Sequence, residues 1–203
     1  MIERRIIVRE LPQEEIDERE ALRYAGVRAE SDSALELLSE CRKRLIPSVK
    51  GLTVYRVLDF SCEGDECIIG GVSVRSASLA RAMQGAEAVV VFAATVGIEV
   101  DRVIARYQKT SAALAHMASS LASERIESLC DALCRALSEE LANEYTLTQR
   151  FSAGYGDLPL ELQKSIFCAL DCERSIGLTL NESMLMSPQK SVTAIIGIKK
   201  VEK

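Results

Sequence analysis

The run from Ser111 to about Asn143 limits the choice of fold more than any other stretch of the chain. It is rich in alanine, and Leu114, Met117, Leu121, Ile126, Leu129, Leu133, Leu137 and Leu141 recur near helical spacing. That pattern predicts one long helix, or two with a break near Ser119-Ser120, with an apolar stripe that must be buried against something. Scaffolding against a sheet is the simplest role. Alanines and serines between Ala112 and Ser123 would let other backbones pack closely.

The remaining segments supply a sheet. Arg4 to Val8 reads as a strand that Pro12 breaks, and Glu14 to Tyr24 as a helix ending at Gly26. Asp32 or Ser33 is a candidate cap for a helix from Ala34 to Leu45, which stops near Pro47. Leu52 to Phe60 and Cys67 to Val74 read as strands paired around Glu63-Gly64-Asp65. A short helix from Ser76 to Met83 follows, then a central strand from Ala86 to Val96 and a helix from Ile98 to Tyr107. Beyond the long helix, Tyr145 to Arg150 is strand-like, Leu160 to Leu170 helix-like, and Leu178 to Leu180 and Val192 to Ile198 strand-like. Strands and helices do not alternate regularly. The expected class is α+β, one domain over residues 1–203, with a mostly antiparallel sheet and packed helices.

Composition excludes several functions. The net charge is -5, with 30 acidic and 25 basic residues, which argues against binding nucleic acid by neutralising phosphates. The longest apolar run, Ala88 to Ile98, is too short for a membrane span. The charged N-terminal residues lack a signal-peptide apolar region, so a cytoplasmic location is expected. Seven cysteines without an export signal read as reduced thiols. Cys130 and Cys134, like Cys168 and Cys172, are spaced to share a helix face, where small core residues are the simpler reading than metal ligands. Cys62 and Cys67 flank the Gly64-Asp65 turn and could approach each other. His116 is the single histidine, which excludes a multi-histidine metal site and leaves little room for a Ser-His-Asp triad.

The candidate site is Arg150-Phe151-Ser152-Ala153-Gly154-Tyr155-Gly156-Asp157-Leu158-Pro159, between a strand and a helix. Two glycines bracket a tyrosine, so the backbone can take positive φ and approach a ligand. Asp157 is placed to cap the following helix, with Pro159 tolerated in its first turn. A guanidinium fork beside such a turn suits a small carboxylate ligand, while free backbone groups could read a flat ring. A dinucleotide-binding turn is disfavoured. Pro159 stands where the third glycine belongs, and Asp157 would put negative charge at the pyrophosphate position.

The string RFSAGYGDLPLELQ, followed by LTLNESMLMSPQKSVTAIIGI, resembles the activation domain of cobalamin-dependent methionine synthase in its short stand-alone form. The match is carried by Arg150 to Ile198, more loosely by the long helix and faintly by the first hundred residues. The resemblance implies S-adenosylmethionine as ligand and a cobalamin carried by a partner, either methionine synthase or another corrinoid protein. It also implies a flavodoxin- or ferredoxin-like electron donor, and reductive remethylation of cob(II)alamin. The family's arginine and Gly-Tyr correspond to Arg150, Gly154 and Tyr155. Arg150 would bind the ligand carboxylate, the main chain at Ser152 would face the adenine, and the Tyr155 ring would lie against the ligand near its sulfonium. Two family acids near the ligand's ammonium correspond to Glu127, in Leu121-Ala122 through Glu127, and to Glu144. A third, in an Ile-Asp dipeptide, corresponds to Asp17, which a helix N-terminal carboxylate explains equally well. Leu180-Asn181-Glu182-Ser183 with Met186, Pro188 and Ser191-Val192 matches a further signature, with Asn181 replacing threonine. The sequence runs to Lys203, soon after Ile198, so the ligand contact that an aromatic segment makes in the large fused enzymes is expected to be absent or supplied by a residue elsewhere.

Two functions are therefore open. One is an activation subunit of a split methionine synthase, with no catalytic acid–base set of its own. The other is a docking module that shifts a corrinoid protein's conformation without binding S-adenosylmethionine. A more distant third is an unrelated enzyme using Glu127 and Glu144 as a carboxylate pair. Keeping Arg150 with Gly154-Tyr155 favours ligand binding; the missing aromatic segment favours docking.

Overall fold

The most apolar strand, β5 (Ala88–Thr95), lies in the middle of the fold. Val89, Val91 and Ala93 point to one face of it, Val90, Phe92 and Ala94 to the other, and all six are completely buried. A strand with no solvated face needs cover on both sides. The structure, a computed structural model, describes residues 4–27 and 31–201. In chain order the other strands are β1 (Ile7–Glu10), β2 (Leu52–Glu63), β3 (Glu66–Ile69), β4 (Val72–Arg75), β6 (Tyr145–Leu147), β7 (Thr179–Leu180), β8 (Met186–Ser187) and β9 (Ser191–Lys200). The main sheet has seven strands in the order β4-β3-β2-β5-β9-β6, with β1 also pairing β2, and β7 and β8 form a separate hairpin. Every strand pairing is antiparallel.

Helices α1 (Glu18–Tyr24), α2 (Asp32–Leu45), α4 (Ile98–Gln108) and α5 (Ala112–Leu141) share one core with Tyr55, Val57, Val90, Phe92, Ala194 and Ile196. Helices α3 (Ala77–Ala82), α6 (Leu162–Leu170) and α7 (Cys172–Ile176) share the opposite core with Val54, Val91, Ala93 and Ile195. The α+β class with a mostly antiparallel sheet is as expected.

The long helix is continuous over thirty residues, with no break at Ser119-Ser120. The Ser120 and Ser123 hydroxyls donate to the carbonyls of His116 and Ser119 at 2.9 and 3.1 Å, so these serines are satisfied within the helix. In its middle lies a buried ion pair, Glu124 with Arg125. The Arg125 guanidinium donates to the carbonyls of Glu14 and Glu15 at 2.7 and 3.0 Å, and Glu124 Oε1 accepts from the Asp17 N–H at 3.1 Å. These bonds engage residues 14–17 before a helix can form there. Consequently α1 starts at Glu18, not Glu14, with Asp17 as its N-cap.

Several boundaries also differ from the sequence reading. The first strand is Ile7–Glu10, set by its register with Leu52–Tyr55. Ser31, not Asp32 or Ser33, caps α2 by accepting from the Ala34 N–H. The expected strand Cys67–Val74 is two strands, because Gly70 and Gly71 both take positive φ and turn the chain back on itself. Cys62 and Cys67 are direct cross-strand partners with Cα atoms 4.1 Å apart and are joined as a disulfide, so the reading of all seven cysteines as reduced thiols is corrected there. Of the remaining five, Cys41, Cys130 and Cys172 are buried, Cys134 is half-buried and Cys168 is exposed.

Candidate functional site

Arg150 is held by the strand edge on either side of it. The Thr148 N–H donates to the Gly197 carbonyl at 2.9 Å, and Phe151 and Ile195 exchange two backbone hydrogen bonds of 2.9 and 2.8 Å. Between these anchors the ladder is interrupted, because the Thr148 hydroxyl, not a backbone carbonyl, accepts from the Gly197 N–H at 2.8 Å. For this reason β6 ends at Leu147, although an extended strand was expected to continue to Arg150. The Arg150 side chain is 26% exposed, and Nη2 lies 2.7 Å from Asp131 Oδ1 and 3.1 Å from Glu127 Oε2. Glu127 and Asp131 are one helical turn apart on α5 and present their carboxylates together. The row continues to Ser123, whose hydroxyl accepts from Lys190 Nζ at 2.8 Å. Burial pulls the Lys190 pKa down, against a weaker opposing pull from Asp101.

The turn after Arg150 closes on itself. The N–H of Gly154 donates to the Leu158 carbonyl at 2.9 Å, that of Leu158 to Tyr155 at 3.1 Å, and that of Tyr155 to Ser152 at 3.2 Å. The Gly154 and Tyr155 N–H groups are thus engaged within the turn, although they were candidates for reading a ligand. Gly156 has φ +60°, and a Cβ there would stand 2.8 Å from Ser78 Oγ, so any other residue would strain the backbone and displace Ser78.

Asp157 does not cap the helix that follows it. Its carboxylate accepts from the Ser76 hydroxyl at 2.6 Å and from the N–H groups of Ala77 and Ser78 at 2.9 and 3.0 Å. It therefore caps α3 together with Ser76, 81 positions away in sequence, and fastens the turn to that helix. The Ser76 hydroxyl, and then the backbone N–H groups, hold the Asp157 pKa well below the usual carboxylate range. Helix α6 begins at Leu162 with no side-chain cap.

Two adjoining depressions open on either side of Arg150 and share Thr148, Gln149 and Ser152. One, of about 1160 Å³ open to solvent, is walled by Glu127, Asp131, Cys134, Val192 and Ala194. The other, of about 1050 Å³, is walled by Ala82, Phe151, Tyr155 and Lys199. Tyr155 is 71% exposed and stands edge-on to Phe151, with ring centroids 5.6 Å apart. Its ring is available to stack on a bound group. Burial pushes the thiols of Cys130 and Cys134 up, which makes them poor nucleophiles.

The structure brings together Arg150, Ser152, Glu127 and, next to Gly154, Tyr155. Neither Glu144 nor Asp17 is among the residues around the two depressions. Glu144 is exposed beyond the end of α5, where its backbone bonds Leu141 and Val201. The helical rise alone puts it more than about 20 Å along the axis from Glu127. Asp17 accepts from the Glu20 N–H at 3.0 Å as the α1 cap, the alternative that the sequence already allowed. Sequence reasoning missed Asp131. Its signal was present as an acid one turn beyond Glu127, but nothing in the sequence showed that Arg150 would face that turn.

The family model for the vitamin B12-dependent methionine synthase activation domain matches residues 78–201. The chain belongs to this family. The matched span runs from α3 through α5 and the turn to β9, so it contains every residue around the two depressions of this activation domain and leaves out Asp17. The crystal structure of the MetH reactivation domain bound to AdoHcy is similar, with a TM-score of 0.68 at 17% identity. The likeness covers 98% of this chain and 80% of that one and establishes a shared fold. No curated protein sequence matches the activation domain described here. Among the described residues, no three His, Cys, Asp or Glu side chains could together hold a metal ion, and no helix is long and apolar enough to cross a membrane.

Proposed function

We propose that this chain is the activation subunit of a split B12-dependent methionine synthase. It binds S-adenosylmethionine between the two depressions and supports reductive remethylation of cob(II)alamin on a cytoplasmic partner that carries the cobalamin. A flavodoxin- or ferredoxin-like protein supplies the electron. The partner's cobalamin receives the methyl group, and this chain positions the donor.

The observation that carries the reading is the half-buried Arg150, anchored on both sides and facing two carboxylates. Arg150, Glu127 and Asp131 sum to one negative charge. The ligand's ammonium, sulfonium and carboxylate sum to one positive charge, so binding would neutralise that trio. The ligand carboxylate would take the guanidinium, and the acids so released would take the ammonium. Each is a charge-assisted hydrogen bond of the stronger kind. The exposed Tyr155 ring supplies an aromatic face for the sulfonium. The likeness to a domain bound to AdoHcy supports the same ligand class.

Calorimetric titration of S-adenosylmethionine into the parent and Arg150→Ala tests this. Loss of at least about tenfold in affinity (about 1.4 kcal/mol) is expected for the variant. Binding that ignores the substitution would refute the site. A second reading has one observation in its favour: Arg150 is already occupied by Glu127 and Asp131 in the free chain. On that reading the chain docks on a corrinoid protein without binding the ligand itself. No heat at millimolar ligand, both for the chain alone and with the cobalamin protein present, would select it.

A further inference from the structure

On the other side of the sheet lies a groove between the β2-β3 hairpin and α6, separate from Arg150 and its two depressions. It is an open groove, with Leu58, Ile69, Val72, Leu162 and Ile166 among its walls. One cation stands in this apolar surface. Arg56 lies on β2 on the same face as Val54 and Leu58, where an alternating strand would place another apolar residue. Its Nε donates to the Arg4 carbonyl at 3.0 Å, and its Nη1 to the Ala169 carbonyl in the last turn of α6 at 3.3 Å. Both partners are neutral carbonyls. Among the described residues, no carboxylate lies within ion-pair distance of Arg56. The adjacent acid on that strand, Asp59, is taken by Arg4 at 2.6 Å.

A guanidinium fixed by carbonyls at the wall of an apolar groove has no counter-ion among the described residues. We propose that this groove is a second ligand site, selective for small apolar monocarboxylates. The carboxylate meets the Arg56 guanidinium and the hydrocarbon lies along Leu58, Val72 and Ile166. Apolar surface alone would hold an uncharged chain equally well, so the arginine makes the site discriminate between an acid and the alcohol of the same length.

Cys168 gives a readout within the site. It is exposed, it lines the groove, and the other four free thiols are buried or half-buried. The probe is octanoate, with 1-octanol as its uncharged counterpart, and the measurement is the rate of Cys168 alkylation by iodoacetamide, followed by peptide mass spectrometry. Octanoate is expected to slow alkylation at concentrations about tenfold below those needed for octanol, the discrimination of one charged hydrogen bond. Arg56→Met should erase the difference and Arg56→Lys should retain part of it. The parent comparison of acid with alcohol stands by itself should either variant fold poorly. Equal protection by acid and alcohol in the parent, or no protection by either, would overturn the proposal.

Discussion

Replacing Glu124 with alanine should destabilise this protein more than any substitution in the cleft. Arg125 is 4% exposed, and its guanidinium is shared between Glu124 and the carbonyls of Glu14 and Glu15. Removing the carboxylate leaves a buried cation with two neutral acceptors and leaves the Asp17 N–H without its partner. Breaking one side of a buried pair typically costs about 3–5 kcal/mol, because the remaining charge cannot reach water. For a chain of this length that corresponds to a drop of about 10 °C in Tm. Equilibrium urea unfolding followed by circular dichroism measures it, with an unchanged m-value as the check on two-state behaviour. The double variant Glu124→Leu with Arg125→Met should lose less than the single alanine variant, since no charge is then stranded. A single-variant loss below about 1 kcal/mol would refute the reasoning, for it would mean that Arg125 reaches solvent when its partner is removed.

Three further outcomes follow from the turn. Gly156→Ala should cost about 2–3 kcal/mol, combining a left-handed backbone with displacement of Ser78, whereas Gly177→Ala, with open space around it, should cost only the backbone share of about 1–2 kcal/mol. Chemical denaturation of the two variants side by side separates the contributions, and equal costs would contradict the contact with Ser78. The Asp157 carboxyl is held below its unfolded pKa, so its stabilisation is complete above about pH 4 and is lost as pH falls towards the folded value. Thermal melts across that range should show a steeper acid loss in the parent than in Asp157→Asn; parallel curves would remove Asp157 from the account. Tyr155→Ala should leave stability within about 0.5 kcal/mol, as expected for an exposed side chain, while weakening S-adenosylmethionine in calorimetry; unchanged affinity would remove the ring from the site.

Much of the architecture was legible in local pattern. The recurrence of leucines after Ser111 and the valine run at 89–91 identified the long helix and the central strand, because burial on one face or on two leaves a direct imprint on sequence. The arginine and the two glycines marked the turn for the same kind of reason, since few other residues tolerate those backbone positions or present a fork. Side chains whose partners lie far along the chain were not legible. Asp157 looked like a cap for the helix that follows it, and by local rules it qualified. The fold instead placed the start of α3 against it, and three donors there outcompeted the nearby helix. The same holds for residues 14–17, which Arg125 holds out of α1.

The candidate site divides along the same line. The sequence by itself determined that Arg150, Ser152, Gly154 and Tyr155 lie close together, because they are neighbours on one short stretch whose geometry is local. Only the tertiary structure decided which acids face that arginine. Helix α5 has Glu124, Glu127, Asp131, Glu139 and Glu140 along its length, and their separation in sequence from Arg150 says nothing of distance. The packing of α5 across β9 selects Glu127 and Asp131, turns Glu124 inward to Arg125, and leaves Glu144 beyond the helix end. A carboxylate interacts strongly with a guanidinium only over a few ångströms, and that separation is fixed by how the helix lies on the sheet.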